Sequence, residues 1–283
     1  MSIFFDFSVE IAYFSSGRKI GKLFKMRLRI LAPVLVFSIL IHSSCSQDES
    51  VRTMPVTTDS ELALEFYKAG MLAFDQIKVK MAYHNLELAV KEDPNFFMAY
   101  FWMYFMPGKS PKKTVDKALM VEADLNEGEK QIKTAFKYLI DGQDEKVVQH
   151  LQMAIDLYPS DPHVHKILYI LQFQYLKDVE AAVQSMKRAI KACPEYEFAY
   201  NLLGYALLDL GKFDEAEDVF NTYIELSPNT ANPYDSKGDY YMATRQYKSA
   251  YNSYMRAYEI DPTFSVSEKK ALKAQDLLNR SAL

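Results

Sequence analysis

An all-α solenoid of stacked helix pairs is the fold class this chain predicts. Three features carry it: Pro228 and Pro262 stand 34 residues apart, the same residue types precede each at the same offsets, and helix stop and start signals flank both. Counting back gives Tyr200, Leu203, Gly204, Ala216 and Phe220, then Tyr234, Gly238, Ala250, Tyr254 and Ala257. A repeat of that length is one helix pair that cannot bury its apolar face alone, so neighbours must stack over a continuous core.

The elements follow in chain order. Residues 1–25 are read as untranslated or disordered, with Met26 as the start. Arg27 and Arg29 precede the apolar run Ile30 to Ile41, which is too short to span a bilayer but suits the h-region of a secretory signal. With Ser43, Ser44 and Cys45 behind it, the segment 26–45 resembles a bacterial lipoprotein signal, although His42 stands where that pattern prefers Leu. The resemblance implies a lipidated Cys45 and an outer-membrane lipoprotein of a Gram-negative cell envelope, facing periplasm or cell surface. The acidic stretch Ser46 to Glu49 resembles the export tag of surface lipoproteins. Residues 46–60 lack apolar periodicity and are expected to be a flexible tether. Capping-box spacing at Thr58 and Glu61 sets the first solenoid helix near Ser60.

Six units are expected, near 63–94, 95–127 (degenerate), 128–160, 163–196, 197–230 and 231–264. In each good unit a small residue on the first helix should face an Ala on the second, Gly204 opposite Ala216 and Gly238 opposite Ala250. That packing offsets the propensity cost of a helical Gly, about 1 kcal/mol. Leu at Gly204 should overpack the contact by about 1–3 kcal/mol, measurable by denaturant unfolding. Phe220 and Tyr254 fill the space between units, and Pro228 and Pro262 stop the second helices. Asn232 before Pro233 and Asp161 before Pro162 read as N-caps with Pro in the first turn. Earlier units keep Phe66, Gly70, Ala82, Leu86 and Ala89; then Ala135, Val147, Leu151 and Ala154; then Ala182, Met186 and Ala189, with Ile170 where Gly belongs. Between them, Pro107-Gly108 breaks the pattern. There Phe96 to Phe105 is apolar on every side and is expected as core under a helix over about 112–125, with a ligand groove as the alternative. Residues 265–283 read as a capping helix, Leu272, Leu277 and Leu278 inward and Lys269, Lys270 and Lys273 outward.

These positions resemble the tetratricopeptide repeat family, over about three quarters of the chain. The resemblance implies a right-handed superhelix whose first helices line a concave groove for a peptide or partner helix. By offset, that groove would be Phe198, Asn201, Tyr205, Asp209, Asn232, Asp235, Asp239 and Met242. No basic residue stands at those positions, so the terminal-carboxylate clamp of chaperone-binding members is not carried over. Removing the Asn201 and Tyr205 side chains should then abolish binding and spare stability.

Composition narrows the function further. The chain has 283 residues, is 49% hydrophobic and carries a net charge of −4, which argues against nucleic acid as the main ligand. No HExxH, GxSxG, GxGxxG, phosphate loop, CxxC or EF-hand spacing occurs. Ser110 to Lys113 matches SxxK by letter without its partner motifs. His163 and His165 diverge on a helix and cannot share a metal, and the acids Asp214, Glu215, Glu217 and Asp218 suit a helix N-terminus better than calcium. With Cys45 lipidated, Cys193 should be a lone, buried, inert thiol. The expected protein is therefore a non-catalytic, cofactor-free scaffold of the envelope that binds a protein or peptide and no nucleic acid. A subunit of an outer-membrane assembly or secretion complex, and a surface lipoprotein capturing peptide or glycan, are the alternatives. An enzyme would require a buried polar cluster, which the repeat pattern does not announce.

Overall fold

The computed structural model describes residues 53–106 and 111–281. Residues 1–25, expected to be untranslated or disordered, the expected signal over 26–45 and Cys45 lie outside the described residues. Among those described, every regular element is helical. They pack as pairs in chain order: α1 (Glu61–Asp75) with α2 (Val79–Glu92), α3 (Phe97–Tyr104) with α4 (Pro111–Met120), and α5 (Glu127–Ile140) with α6 (Asp144–Leu157). Then come α7 (Pro162–Ile170) with α8 (Val179–Ala192), α9 (Glu197–Asp209) with α10 (Phe213–Leu226), and α11 (Ala231–Ala243) with α12 (Tyr247–Ile260), before α13 (Ser265–Ser281). The result is an α-solenoid of helix-turn-helix repeats.

The repeat is visible in the backbone as well as in the side chains. Ile77, Gly142, Lys177, Gly211 and Arg245 each sit in the turn inside a pair, at φ between 59° and 70°. Gly adopts that left-handed conformation freely, whereas the other three do so at about 1–2 kcal/mol each. Gly142 and Lys177 are 35 residues apart, while the next two intervals are 34. The added residue falls where α7 runs on into a π-helix, Leu171–Leu176, which takes up one extra residue per wide turn. This is also the unit in which Ile170 replaces the packing glycine.

Packing corrects the expected partner of that glycine. A Cβ on Gly204 would lie 2.5 Å from the Phe220 ring, and Gly238 meets Tyr254 in the same way. Glycine therefore makes room for the aromatic residue of the second helix, and not for Ala216 or Ala250. The aromatic segment is core: Trp102 is 0% exposed and Phe96 to Phe101 are buried. Phe74 of α1 packs at 5.7 Å from Trp102, and Phe136 of α5 meets Phe101 edge-on at 5.4 Å.

Four further expectations change. The tether is corrected where it is described, because residues 54–58 are hydrogen-bonded to the solenoid. The Met54 N–H donates to Asp161 Oδ2 at 2.8 Å, the Thr57 N–H to Glu129 Oε1 at 2.8 Å, and the Asn126 amide to the Pro55 carbonyl at 2.8 Å. Thr58 donates to Asp93 rather than capping α1, whose cap is Ser60, accepting from the Ala63 N–H. Asp161 does cap α7, but Asn232 lies inside α11 and donates to the Tyr223 hydroxyl. On α13 the buried face is Ser267, Ala271 and Ala274, while Leu272 is 65% exposed and Lys270 points inward.

Candidate functional site

The eight residues assigned to the groove do not form one open surface. Phe198, Asn201, Asn232 and Asp235 are buried, Tyr205, Asp239 and Met242 are half-buried, and Asp209 is exposed. Four of them, Asn201, Tyr205, Asp235 and Asp239, are joined in hydrogen bonds between neighbouring units. Ser236 donates to Asn201 at 2.7 Å, and Tyr205 donates to Asp239 at 2.7 Å. Asp239 also accepts from Tyr254 at 2.7 Å. Asp235 accepts from Ser267 at 2.6 Å, and Lys270 donates to both Asp235 and Asp239 at 2.7 and 2.9 Å. Burial raises the Asp235 carboxyl pKa despite Lys270. Burial also pulls Lys270 down, but Asp239 and Asp235 outweigh it and hold the ammonium above its usual value. Asn201, Tyr205, Asp235 and Asp239 thus take part in a polar joint between α9, α11, α12 and α13.

A second buried polar cluster joins the first unit to the middle of the chain. Lys166 of α7 is 0% exposed and donates to Asp75 Oδ1 at 2.7 Å, while the Tyr196 hydroxyl donates to Asp75 Oδ2 at 3.1 Å. Four rings surround the ammonium, with Trp102 nearest at 4.8 Å and Phe74 at 5.2 Å. Burial lowers the Lys166 pKa against the opposing pull of Asp75. The expectation that the repeats bury no polar cluster is corrected. Lys166 is sealed on all sides by aromatic rings and its counter-ion, an arrangement suited to fixing α1 on α7 and α9.

Where that joint reaches the surface there is a cavity of about 270 Å³. It lies between the α1–α2 turn, the start of α9 and the loops that follow α10 and α12, bringing Asp75, Glu197, Tyr223, Asn229, Asn232 and Asp261 to one seam. Lys78 pairs with Asp261 across the seam at 3.3 Å, linking the first pair of helices to the last. The Thr263 hydroxyl and then Lys78 hold Asp261 below the usual carboxylate range. Glu197 differs from its neighbours: burial raises its pKa, Ser227 is its hydrogen-bond partner, and no described cation lies within ion-pair distance. The cavity joins residues more than 180 positions apart in sequence (75 and 261), which no repeat offset reveals.

The remaining chemistry is sparse. Among the described residues no group of three or more His, Cys, Asp or Glu is placed to hold a metal, and no helix is long and apolar enough to cross a membrane. Buried Trp102 is not a surface for stacking a captured ligand. Cys193 is buried, at 3% exposure.

Comparison with known proteins places the repeats. A family model for the tetratricopeptide repeat matches residues 199–230 and 231–264. No curated protein matches the chain. Among solved structures, the chain is similar to a thermophilic TPR protein of Thermus thermophilus, TTC0263, at 16% identity and a TM-score of 0.48, over 75% of this chain and 98% of that one. It is also similar to MamA from Desulfovibrio magneticus RS-1, residues 41 to the end, at 18% identity and a TM-score of 0.43, over 56% of this chain and 94% of that one. The protein carries tetratricopeptide repeats in an α-solenoid, a class that generally binds protein or peptide partners and usually serves as a non-catalytic scaffold.

Proposed function

We propose that this protein is a non-catalytic interaction scaffold of the cell envelope, held to the membrane by a lipid on Cys45, and that it takes a peptide or partner domain at the seam between its first and last helix pairs. The observation that carries the binding site is the seam cavity, where a half-buried carboxylate without a cation, Glu197, stands beside Tyr223 and Asn232. Asn201, Tyr205, Asp235 and Asp239 of the expected groove are engaged in joints between units, and the seam is a polar concavity open to a partner. The anchor rests on Arg27, Arg29, the run Ile30 to Ile41 and the small residues before Cys45.

Asn229 tests the site without touching a joint, since it is exposed at the rim of the cavity. Asn229→Trp should fill the mouth, abolish the crosslinked partner recovered from intact envelopes, and leave the thermal transition within about 0.5 kcal/mol of the parent. Retention of the same partner at the same yield would remove the seam as its binding site. The anchor has its own readout. Lipidation uses the Cys45 sulfur, and the chain has two cysteines, so a lipidated chain cannot also bridge Cys45 to Cys193. Mass spectrometry of the mature N-terminus should find an acylated Cys45; an unmodified Cys45 held in a disulfide would overturn the anchor.

A further inference from the structure

Away from the seam, on the face formed by α2, α3 and α4, a cavity of about 400 Å³ gathers three lysines from two helices: Lys91 of α2, and Lys113 and Lys117 of α4. Lys113 and Lys117 stand one helical turn apart, a spacing at which like charges repel by a few tenths of a kcal/mol. Among the described residues none of the three has an acid within ion-pair distance, whereas Lys78, Lys130, Lys166, Lys187, Lys212, Lys237 and Lys270 all do. Glu87 is the acid in the lining, so the wall carries a charge of about +2 in a chain whose net charge is −4. The floor is aromatic and held in place: Tyr100 is 3% exposed, and the Lys117 ammonium lies 5.5 Å from its ring centroid.

We infer that this cavity binds an organic phosphate monoester. The charge decides the class. A phosphate monoester carries about −1.5 to −2 at neutral pH and matches the wall, while a single carboxylate leaves it positive. Lysine ammoniums recognise phosphate as point charges, and the half-buried Tyr83 and Val90 of the lining receive the organic group. The volume lies within the range of small-ligand sites. The same group could arrive on a soluble metabolite or on a lipid headgroup; the recognising chemistry is shared.

The test titrates the full chain at low salt with phenyl phosphate, with benzoate as a monoanionic counterpart, and repeats the titration on Lys113→Gln/Lys117→Gln after its circular dichroism is shown to match the parent. Phenyl phosphate should bind, benzoate at least about tenfold more weakly, and the double variant should lose about tenfold or more in affinity, as should the parent at high salt. Glycerol phosphate binding would assign a soluble source, and binding only to vesicles containing phosphatidic acid would assign the headgroup; either supports the phosphate site. Absence of binding by all three phosphates, equal binding of benzoate, or unchanged affinity in the double variant would each overturn it.

Discussion

Asp75→Ala should destabilise the fold by about 3–5 kcal/mol, because it leaves the fully buried Lys166 ammonium without its anion. Lys166→Met should cost far less, since it removes the charge together with its desolvation penalty and leaves an apolar chain among Trp102, Phe74, Tyr196 and Phe198. The asymmetry is the prediction: deleting the anion is severe and deleting the cation is mild. A pH dependence follows. The folded-state pKa of Lys166 is depressed by burial, so the unfolded chain binds its proton more tightly and this group's contribution to stability rises with pH up to the ordinary lysine value near 10.4. Without Asp75 the depression deepens. The gap between Asp75→Ala and the parent should therefore narrow between pH 7 and pH 9 in urea unfolding. A gap that is constant with pH would show that Lys166 is not the group left uncompensated.

Lys270→Met carries the second large effect, again about 3–5 kcal/mol. Its ammonium is shared by Asp235, 4% exposed, and Asp239, and the variant keeps the aliphatic packing while withdrawing the charge. Asp235 would keep the hydrogen bond from the Ser267 hydroxyl and would sit buried beside a second carboxylate. Its pKa is already raised by burial, so the folded variant should take up a proton more readily than the unfolded chain, and stability should increase as pH falls from 7 toward 4.5. Deleting α13 after Phe264 should do the same damage and also expose the Tyr254 side of α12. Scanning calorimetry of both variants, alone and with Asp235→Asn/Asp239→Asn, provides the check. The neutralised double variant should recover most of the loss.

How much of this was legible in the sequence differs by residue. The period was, because its determinants are local: Gly204 and Gly238 admit the Phe220 and Tyr254 rings, and the prolines that close each unit act within one turn. The left-handed turn residues were not, since Ile77, Lys177 and Arg245 take a conformation that their side chains disfavour and only the repeat geometry imposes. Nor was the partner of Lys166, 91 residues away on α1. The polar joint was misread although a signal for it existed. Asn201 with Ser236, Tyr205 with Asp239, and Asp235 with Lys270 are 35, 34 and 35 residues apart, one repeat in each case. Donor and acceptor recurring at the repeat length mark contact between first helices of successive units, a better explanation of those positions than a vacant groove.

The most direct test of that account is the thermal unfolding of Asn201→Ala/Tyr205→Ala. If these side chains join α9 to α11, the variant loses the Ser236 and Asp239 hydrogen bonds and part of a packed ring. Its midpoint should fall by about 4–12 °C, corresponding to about 2–3 kcal/mol in a solenoid of this size. A midpoint unchanged from the parent, together with loss of partner binding, would contradict the account and return these residues to an open groove.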